Sequence, residues 1–195
     1  MKLSIKNKKT AESGVGNEVR EGGRKVIAIV GVGLIGGSLA IRLHEKKLCY
    51  KLIGVEENDA HAKKAVELDL VDEVLPMDEA IEQSDVIVLA IPVDKLVNLL
   101  PAVLDKITDQ VVLDVGSTKR HLIEAIKNHP KRGRYVATHP MWGTEYSGPE
   151  AAVKNAFENK AVVICNAEES EEDALNWVKS MYKKIGMHIL EMDAG

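Results

Sequence analysis

Short apolar runs, rich in valine and isoleucine, alternate along this chain with longer stretches in which apolar positions recur at helical spacing. The runs predict seven β-strands, at residues 26–30, 51–55, 85–91, 111–115, 135–138, 161–165 and 188–191. Several of them are apolar almost throughout. That pattern is typical of a parallel sheet that helices cover on both faces.

The stretches between the strands predict helices. One follows the first strand, one follows Asn58 or Asp59 as its N-cap, and three more lie at 94–104, 118–128 and 171–185. Pro101 should kink or restart its helix, and Gly186 should cap the last one. This alternation of strand and helix predicts a Rossmann-type, doubly wound α/β fold with a mostly parallel sheet.

The connection between the first predicted strand and the first predicted helix contains glycines at a spacing that is typical of dinucleotide-binding loops. The first predicted strand runs directly into Gly31-Val-Gly-Leu-Ile-Gly36 and then into a helix. Gly31 permits a tight turn, Gly33 lets the backbone approach a pyrophosphate, and Gly36 allows the helix to pack closely on the strand. The first helical turn, at Leu34 and Ile35, presents backbone N–H groups to the anion. Glycine-rich turns also occur without ligands, so this loop alone is a weak signal.

An acidic residue at the expected distance strengthens this interpretation. The second predicted strand ends at Glu56, 20 residues after Gly36, where a dinucleotide-binding fingerprint places a carboxylate on the ribose 2′-hydroxyl. The same carboxylate would repel a 2′-phosphate, which favours NAD over NADP. The simpler alternative is that Glu56 only solvates a loop, together with Glu57 and Asp59.

The ends of later strands are candidate sites because ligands of open α/β sheets bind at the carboxyl ends of strands. The third strand ends in Ile91-Pro92-Val93, where proline rigidifies backbone that can lie along the cofactor. The fourth strand leads into a turn of small residues that contains Ser117. Ser117 is either a hydroxyl that positions substrate or cofactor, a helix N-cap, or both.

The fifth strand leads into His139, which is the candidate for proton transfer. A single histidine at a strand end is more often structural than catalytic. Here, however, Pro140 follows it, and it lies at the sheet edge that is predicted to hold the cofactor. A neutral imidazole, which titrates at about pH 6.5, is the natural acceptor for the proton of an alcohol. No cluster of histidine, cysteine or carboxylate residues in the sequence has a metal-ligand spacing.

Composition narrows the class of protein. The 195 residues are 45% hydrophobic, enough for a core, and their net charge of −4 shows no basic excess of the kind that nucleic-acid binders carry. No apolar stretch approaches the roughly 20 residues that span a bilayer. Two cysteines without metal or disulfide spacing predict a reducing, cytoplasmic setting. Residues 1–24 predict a polar, flexible leader, with a basic interaction arm as the weaker alternative.

Four segments, in order, resemble those of prephenate dehydrogenases. They are Gly31-Val-Gly-Leu-Ile-Gly-Gly-Ser38, Ala90-Ile-Pro-Val93, Asp114-Val-Gly-Ser-Thr-Lys119 and His139-Pro-Met-Trp-Gly-Thr-Glu-Tyr-Ser-Gly148. The first is common to many dehydrogenases, and the last two are much more specific. The resemblance implies NAD-dependent oxidative decarboxylation of prephenate to 4-hydroxyphenylpyruvate, on the route to tyrosine.

The resemblance also implies roles for individual residues. His139 is the base or hydrogen-bond acceptor for the substrate hydroxyl, and Ser117 helps to align that hydroxyl with the nicotinamide. Thr144 and Glu145 line the substrate side, and Lys119 contacts a substrate carboxylate. These implied roles need no metal.

The chain departs from the family pattern in two respects. Trp142 stands where family members commonly have alanine, and a large ring beside the catalytic loop can reshape the pocket, so the resemblance fixes the cofactor more firmly than the substrate. Family members also continue into a helical domain that dimerises and closes the cleft. We therefore expect residues 25–195 to be the cofactor domain of a longer, homodimeric enzyme, inactive or weakly active alone. Arogenate dehydrogenase and a stand-alone NAD-binding module without catalysis are the alternatives.

Overall fold

One sheet of eight strands organises the part of the chain that the computed structural model describes, residues 23–193. The strands are β1 (Lys25–Val30), β2 (Cys49–Val55), β3 (Glu73–Val74), β4 (Val86–Leu89), β5 (Val111–Asp114), β6 (Tyr135–Pro140), β7 (Ala161–Cys165) and β8 (His188–Met192). The α-helices are α1 (Leu34–Glu45), α2 (Asp59–Glu67), α3 (Met77–Gln83), α4 (Val93–Lys106), α5 (Arg120–Ile126) and α6 (Glu172–Lys184). The predicted leader lies outside the described residues, apart from its last two.

The strand order confirms the predicted doubly wound, mostly parallel fold. The order is β3-β2-β1-β4-β5-β6-β7-β8, and every neighbouring pair is parallel except β6 with β7. Alternate residues of β1 enter different cores: Ile27 and Ile29 pack on one face of the sheet, and Ala28 and Val30 on the other. The direction of winding reverses between β1 and β4, which is where open α/β sheets bind ligands.

All seven predicted strands are present, with ends that differ by up to two residues. The sequence pattern missed β3 and α3 because a strand of two partly buried residues and a helix of seven residues are too short to show a period. The predicted strand at 135–138 extends through His139 and Pro140, which pair with Val163 and Val162 of the antiparallel β7.

One predicted helix start and one predicted helix end are confirmed, and two other predictions about the helices are corrected. The Asn58 side chain accepts hydrogen bonds from two N–H groups and is the N-cap of α2, and Gly186 follows the last helix with φ +95°. Pro101 does not restart α4, which continues through it because Leu100 and Val103, on either side, are buried against the sheet. Helix α5 begins at Arg120, later than predicted.

Candidate functional site

The glycine loop between β1 and α1 has the backbone that its spacing predicts. Gly31 has φ +90°, and a Cβ there would lie 2.6 Å from the carbonyl oxygen of Ala90. A Cβ on Gly36 would overlap the carbonyl oxygen of Gly31. A Cβ on Gly33, in contrast, would have the backbone nitrogen of Gly148 as its nearest neighbour, at 3.9 Å. The tight turn and the close helix packing are therefore confirmed, and the backbone at Gly33 is open to a ligand.

A cavity of about 310 Å³ lies against this loop, and we call it the glycine-loop cavity. Its walls include Gly33, Leu34 and Ile35 from the loop, together with Ile91 and Pro92 after β4. Val93, which was predicted to accompany them, does not line the cavity; its side chain lies against the Gly116 backbone instead. Five of the eight predicted glycine-loop and proline-turn residues thus meet in one cavity, whereas Gly31 and Gly36 shape the loop behind it and Val93 lies outside it.

Glu56 lies against the glycine loop and is not only a solvated surface residue. Its Oε2 accepts a hydrogen bond from the backbone N–H of Val32 at 3.3 Å, and its Oε1 accepts one from Asn58 at 3.1 Å. The side chain is half-buried. This is the position from which a carboxylate can meet a ribose bound along the loop.

Ser117 and His139 line a second cavity, of about 320 Å³, which we call the histidine cavity. Lys119, Cys165 and Asp193 also contribute to its walls. The two cavities flank the end of β5, because Val115 lines the glycine-loop cavity and Ser117, two residues later, lines the histidine cavity. The two candidate catalytic residues therefore share one cavity next to the glycine loop.

The electrostatic environment of His139 favours its neutral form. Burial lowers the pKa of its imidazole below 6.5, the charge of Lys119 lowers it further, and the charge of Asp114 partly opposes them. At neutral pH the ring is therefore unprotonated and able to accept a proton. A neutral imidazole beside a serine hydroxyl can bind and deprotonate an alcohol.

One expectation for the turn after β5 requires correction, and the surroundings of a second candidate residue are now defined. Ser117 is not a helix N-cap, because α5 begins at Arg120 and its cap position is Lys119. Lys119 is only 5% exposed, and its Nζ donates to the Asp114 carboxylate and to the Gly116 carbonyl. The lysine ammonium is thus already engaged within the protein, whereas a contact with a substrate carboxylate was expected of it.

The loop after β6 also differs from expectation. Thr144 and Glu145 are exposed and line neither cavity. The ring of Trp142 packs edge-on against Phe157, with centroids 5.6 Å apart, and joins the core. Trp142 lines neither the glycine-loop cavity nor the histidine cavity.

Comparison with known proteins gives the family. The nucleotide-binding domain of prephenate dehydrogenase, as a family, matches residues 39–191, which is well over half of the chain. This chain belongs to that family. The matched residues include Glu56, Ser117 and His139, whereas the glycine loop at 31–36 precedes them.

Individual relatives agree with the family match. Prephenate dehydrogenase of Bacillus subtilis is 28% identical over 173 residues, covering 87% of this chain and 47% of the relative. A crystal structure of prephenate dehydrogenase from A. aeolicus, in complex with hydroxyphenyl propionate and NAD⁺, is 29% identical with a TM-score of 0.80, covering 87% of this chain and 60% of that one. Arogenate dehydrogenase of Synechocystis is also 29% identical, with a TM-score of 0.77, covering 87% and 60%. The chain spans about half the length of the curated relatives it matches.

Several residues that line the cavities of this family member were assigned no site role from the sequence. Tyr146, Ser147 and Gly148 reach the glycine-loop cavity from the loop after β6, and Gly148 has φ +83°. Cys165 and Asp193 reach the histidine cavity because β7 returns antiparallel to β6 and β8 follows it. Only the Ser-Gly-Pro turn at 147–149 could have indicated a change of direction there.

Between residues 23 and 193, no helix is long and apolar enough to cross a membrane. Over that part of the chain, no group of three or more histidine, cysteine or carboxylate side chains is placed to hold a metal ion.

Proposed function

We propose that this chain binds NAD in the glycine-loop cavity and is the cofactor-binding part of an enzyme that oxidatively decarboxylates prephenate to 4-hydroxyphenylpyruvate. The observation that carries the proposal is the shared cavity of Ser117 and His139, next to the glycine loop. The Bacillus and A. aeolicus relatives bear the name of this activity.

The residues present fit a dinucleotide. Gly33 has open space where a side chain would stand, the first turn of α1 presents its N–H groups, and Glu56 lies beside the loop for a ribose hydroxyl. The negative charge of Glu56 favours NAD over NADP, because a 2′-phosphate would meet it. When bound, NAD⁺ supplies the acceptor for the hydride of the substrate.

The side chains of the histidine cavity then account for the rest of the reaction. The substrate carbon that bears the hydroxyl loses a hydride, the hydroxyl loses its proton to His139, and the carboxylate leaves as CO₂ so that the ring becomes aromatic. Ser117 orients the hydroxyl by hydrogen bonding. The lowered pKa of His139 keeps it ready to take that proton at neutral pH.

Arogenate is the second candidate substrate. The Synechocystis arogenate dehydrogenase matches this fold with the same identity as the prephenate dehydrogenase of A. aeolicus. Both substrates have the same reacting ring, so Ser117 and His139 serve either one. We further propose that the chain acts in the cytoplasm, as part of a homodimer that a helical domain completes.

Two measurements test the function. Calorimetric titration of the 195-residue chain should show binding of NAD⁺ that is tighter than binding of NADP⁺. Formation of NADH should then be measured with prephenate and with arogenate, and His139→Asn serves as the control for catalysis. The proposed reaction is supported if either substrate is turned over and if His139→Asn abolishes that turnover. Absence of NAD⁺ binding would contradict the proposal. Binding without turnover agrees with a cofactor domain that needs the rest of its enzyme, whereas absence of turnover of both substrates by the complete enzyme would favour a nucleotide-binding module.

A further inference from the structure

A buried carboxylate, Asp114, lies behind the two candidate catalytic residues. The side chain is fully buried at the end of β5, and all of its four partners are donors. Its Oδ1 accepts from the Tyr135 hydroxyl at 2.6 Å and from the Thr138 N–H at 3.3 Å. Its Oδ2 accepts from the Gly116 N–H at 2.9 Å and from the Lys119 ammonium. A buried carboxylate is costly unless it is paired in this way.

Two of these hydrogen bonds connect the segments that carry the candidate catalytic side chains. Gly116 directly precedes Ser117, and Thr138 directly precedes His139. One carboxylate therefore fixes the backbone next to the serine and the backbone next to the histidine at the same time. The first segment follows β5 and the second belongs to β6, and the N–H groups of both donate to the Asp114 carboxylate.

A second layer of hydrogen bonds stabilises the arrangement. The Lys119 ammonium also donates to the Gly116 carbonyl, which closes the Ser117 turn. The Thr138 hydroxyl bonds to the Asp114 carbonyl and to the Tyr182 hydroxyl of α6. The Lys119 ammonium and the Asp114 carboxylate are both buried, so water and salt ions weaken their attraction very little.

We propose that Asp114 and Lys119 form a positioning pair for the reaction described above, in which the carboxylate holds the Ser117 turn and the His139 strand end in one arrangement and the ammonium keeps a positive charge in the wall of the histidine cavity. The proposal rests on the proposed function for its purpose. Its geometry, however, exists without cofactor or substrate and is testable without them.

Other titratable and charged side chains also lie near His139, in addition to Asp114 and Lys119. The titratable and charged side chains around the histidine come from every neighbouring element: Asp114 from β5, Lys119 and Arg120 from the following turn and helix, Cys165 from β7, Asp193 after β8 and, through Thr138, Tyr182 from α6. Burial raises the pKa of the Cys165 thiol and of the Tyr182 phenol, so neither is charged at neutral pH. Lys119 and Asp114 move the pKa of His139 in opposite directions.

The experiment is an NMR titration of the His139 ring in the 195-residue chain, with His139→Asn to assign its signals. In Lys119→Gln the midpoint should rise toward 6.5, because the cation is lost while the burial of the ring and the Asp114 carboxylate stay. In Asp114→Asn it should fall below the midpoint of the unsubstituted chain. The two midpoints should therefore move in opposite directions from that of the unsubstituted chain. In Asp114→Asn, amide hydrogen exchange at Gly116 and Thr138 should also accelerate at both positions.

Matched controls separate this role from a structural one. Arg120→Gln removes a cation from the wall of the same cavity and should leave the His139 midpoint unchanged. Tyr135→Phe removes one hydrogen bond to Asp114 without a change of charge, and should lower stability only. If Asp114→Asn does not fold, Lys119→Gln decides alone. A midpoint that falls or stays unchanged in Lys119→Gln, or one that rises in Asp114→Asn, would show that the pair acts only through packing and would overturn the inference. Neither result depends on whether prephenate is turned over.

Discussion

Substitution of Gly33 by alanine should separate nucleotide binding from folding. Gly33 is the N-cap residue of α1, and its φ of −94° and ψ of −150° form an extended backbone that alanine adopts without strain. The added methyl group would have its nearest protein atom at 3.9 Å, which is ordinary van der Waals contact. The free energy of unfolding should therefore fall by less than about 1 kcal/mol, because alanine is only a poorer N-cap than glycine.

The effect on the ligand should be much larger. Gly33 lines the glycine-loop cavity, and a pyrophosphate can approach the backbone there only while no Cβ is present. Forcing a methyl group into a filled contact costs about 1–3 kcal/mol. This corresponds to a loss of about 5- to 150-fold in affinity for NAD⁺.

The measurement is calorimetric titration of NAD⁺ together with denaturant unfolding of the same samples. Gly143→Ala is the matched control, because its Cβ would also meet nothing closer than 4.0 Å, from Ile35, and Gly143 does not line the glycine-loop cavity. That variant should keep both stability and affinity. If Gly33→Ala binds NAD⁺ as the unsubstituted chain does, the pyrophosphate does not approach this backbone and the reasoning is refuted.

Three further substitutions test other parts of the site. Glu56→Ala should weaken NAD⁺ binding by about 1.5–3 kcal/mol in calorimetry, the range for a hydrogen bond to a charged group, and unchanged binding would remove Glu56 from the site. In the complete enzyme, His139→Asn should keep NAD⁺ affinity but lower turnover by about 10²–10⁴-fold in steady-state assays, so a near-normal rate would contradict its role as base. Since burial lowers the pKa of His139, acid should reduce turnover only below pH 6.5. Gly36→Ala should destabilise the fold by about 1–3 kcal/mol or more in denaturant unfolding, and normal stability would contradict the close contact with Gly31.

The geometry of the glycine loop and the neighbourhood of Glu56 could be predicted from sequence because they depend on local rules. A glycine with positive φ, a glycine under a carbonyl oxygen and an acid at the end of the second strand are properties of one strand–helix–strand unit. The meeting of Ser117 with His139 followed from a more general rule, that parallel strands bring their carboxyl ends to one edge.

Other residues could not be placed from the sequence because their positions depend on distant parts of the chain. Lys119 carries the charge expected of a carboxylate ligand, yet Asp114, five residues earlier, engages it inside the protein. Trp142 has the size to fill a pocket, yet Phe157 offers its ring a place in the core. In each case the side chain packs or pairs with another residue inside the protein, and the local sequence pattern does not reveal which residue that is.

The sequence by itself determined the doubly wound sheet, seven of its eight strands and the glycine loop, because hydrophobic periodicity and glycine spacing act over a few residues. Only the tertiary structure decided which side chains share a cavity. Gly148 lies next to Gly33, and Cys165 lines the same cavity as His139. The Asp114 carboxylate accepts hydrogen bonds from the backbone at two strand ends. These contacts depend on the antiparallel return of β7 and on the path of the loop after β6, which are consequences of packing across the whole sheet.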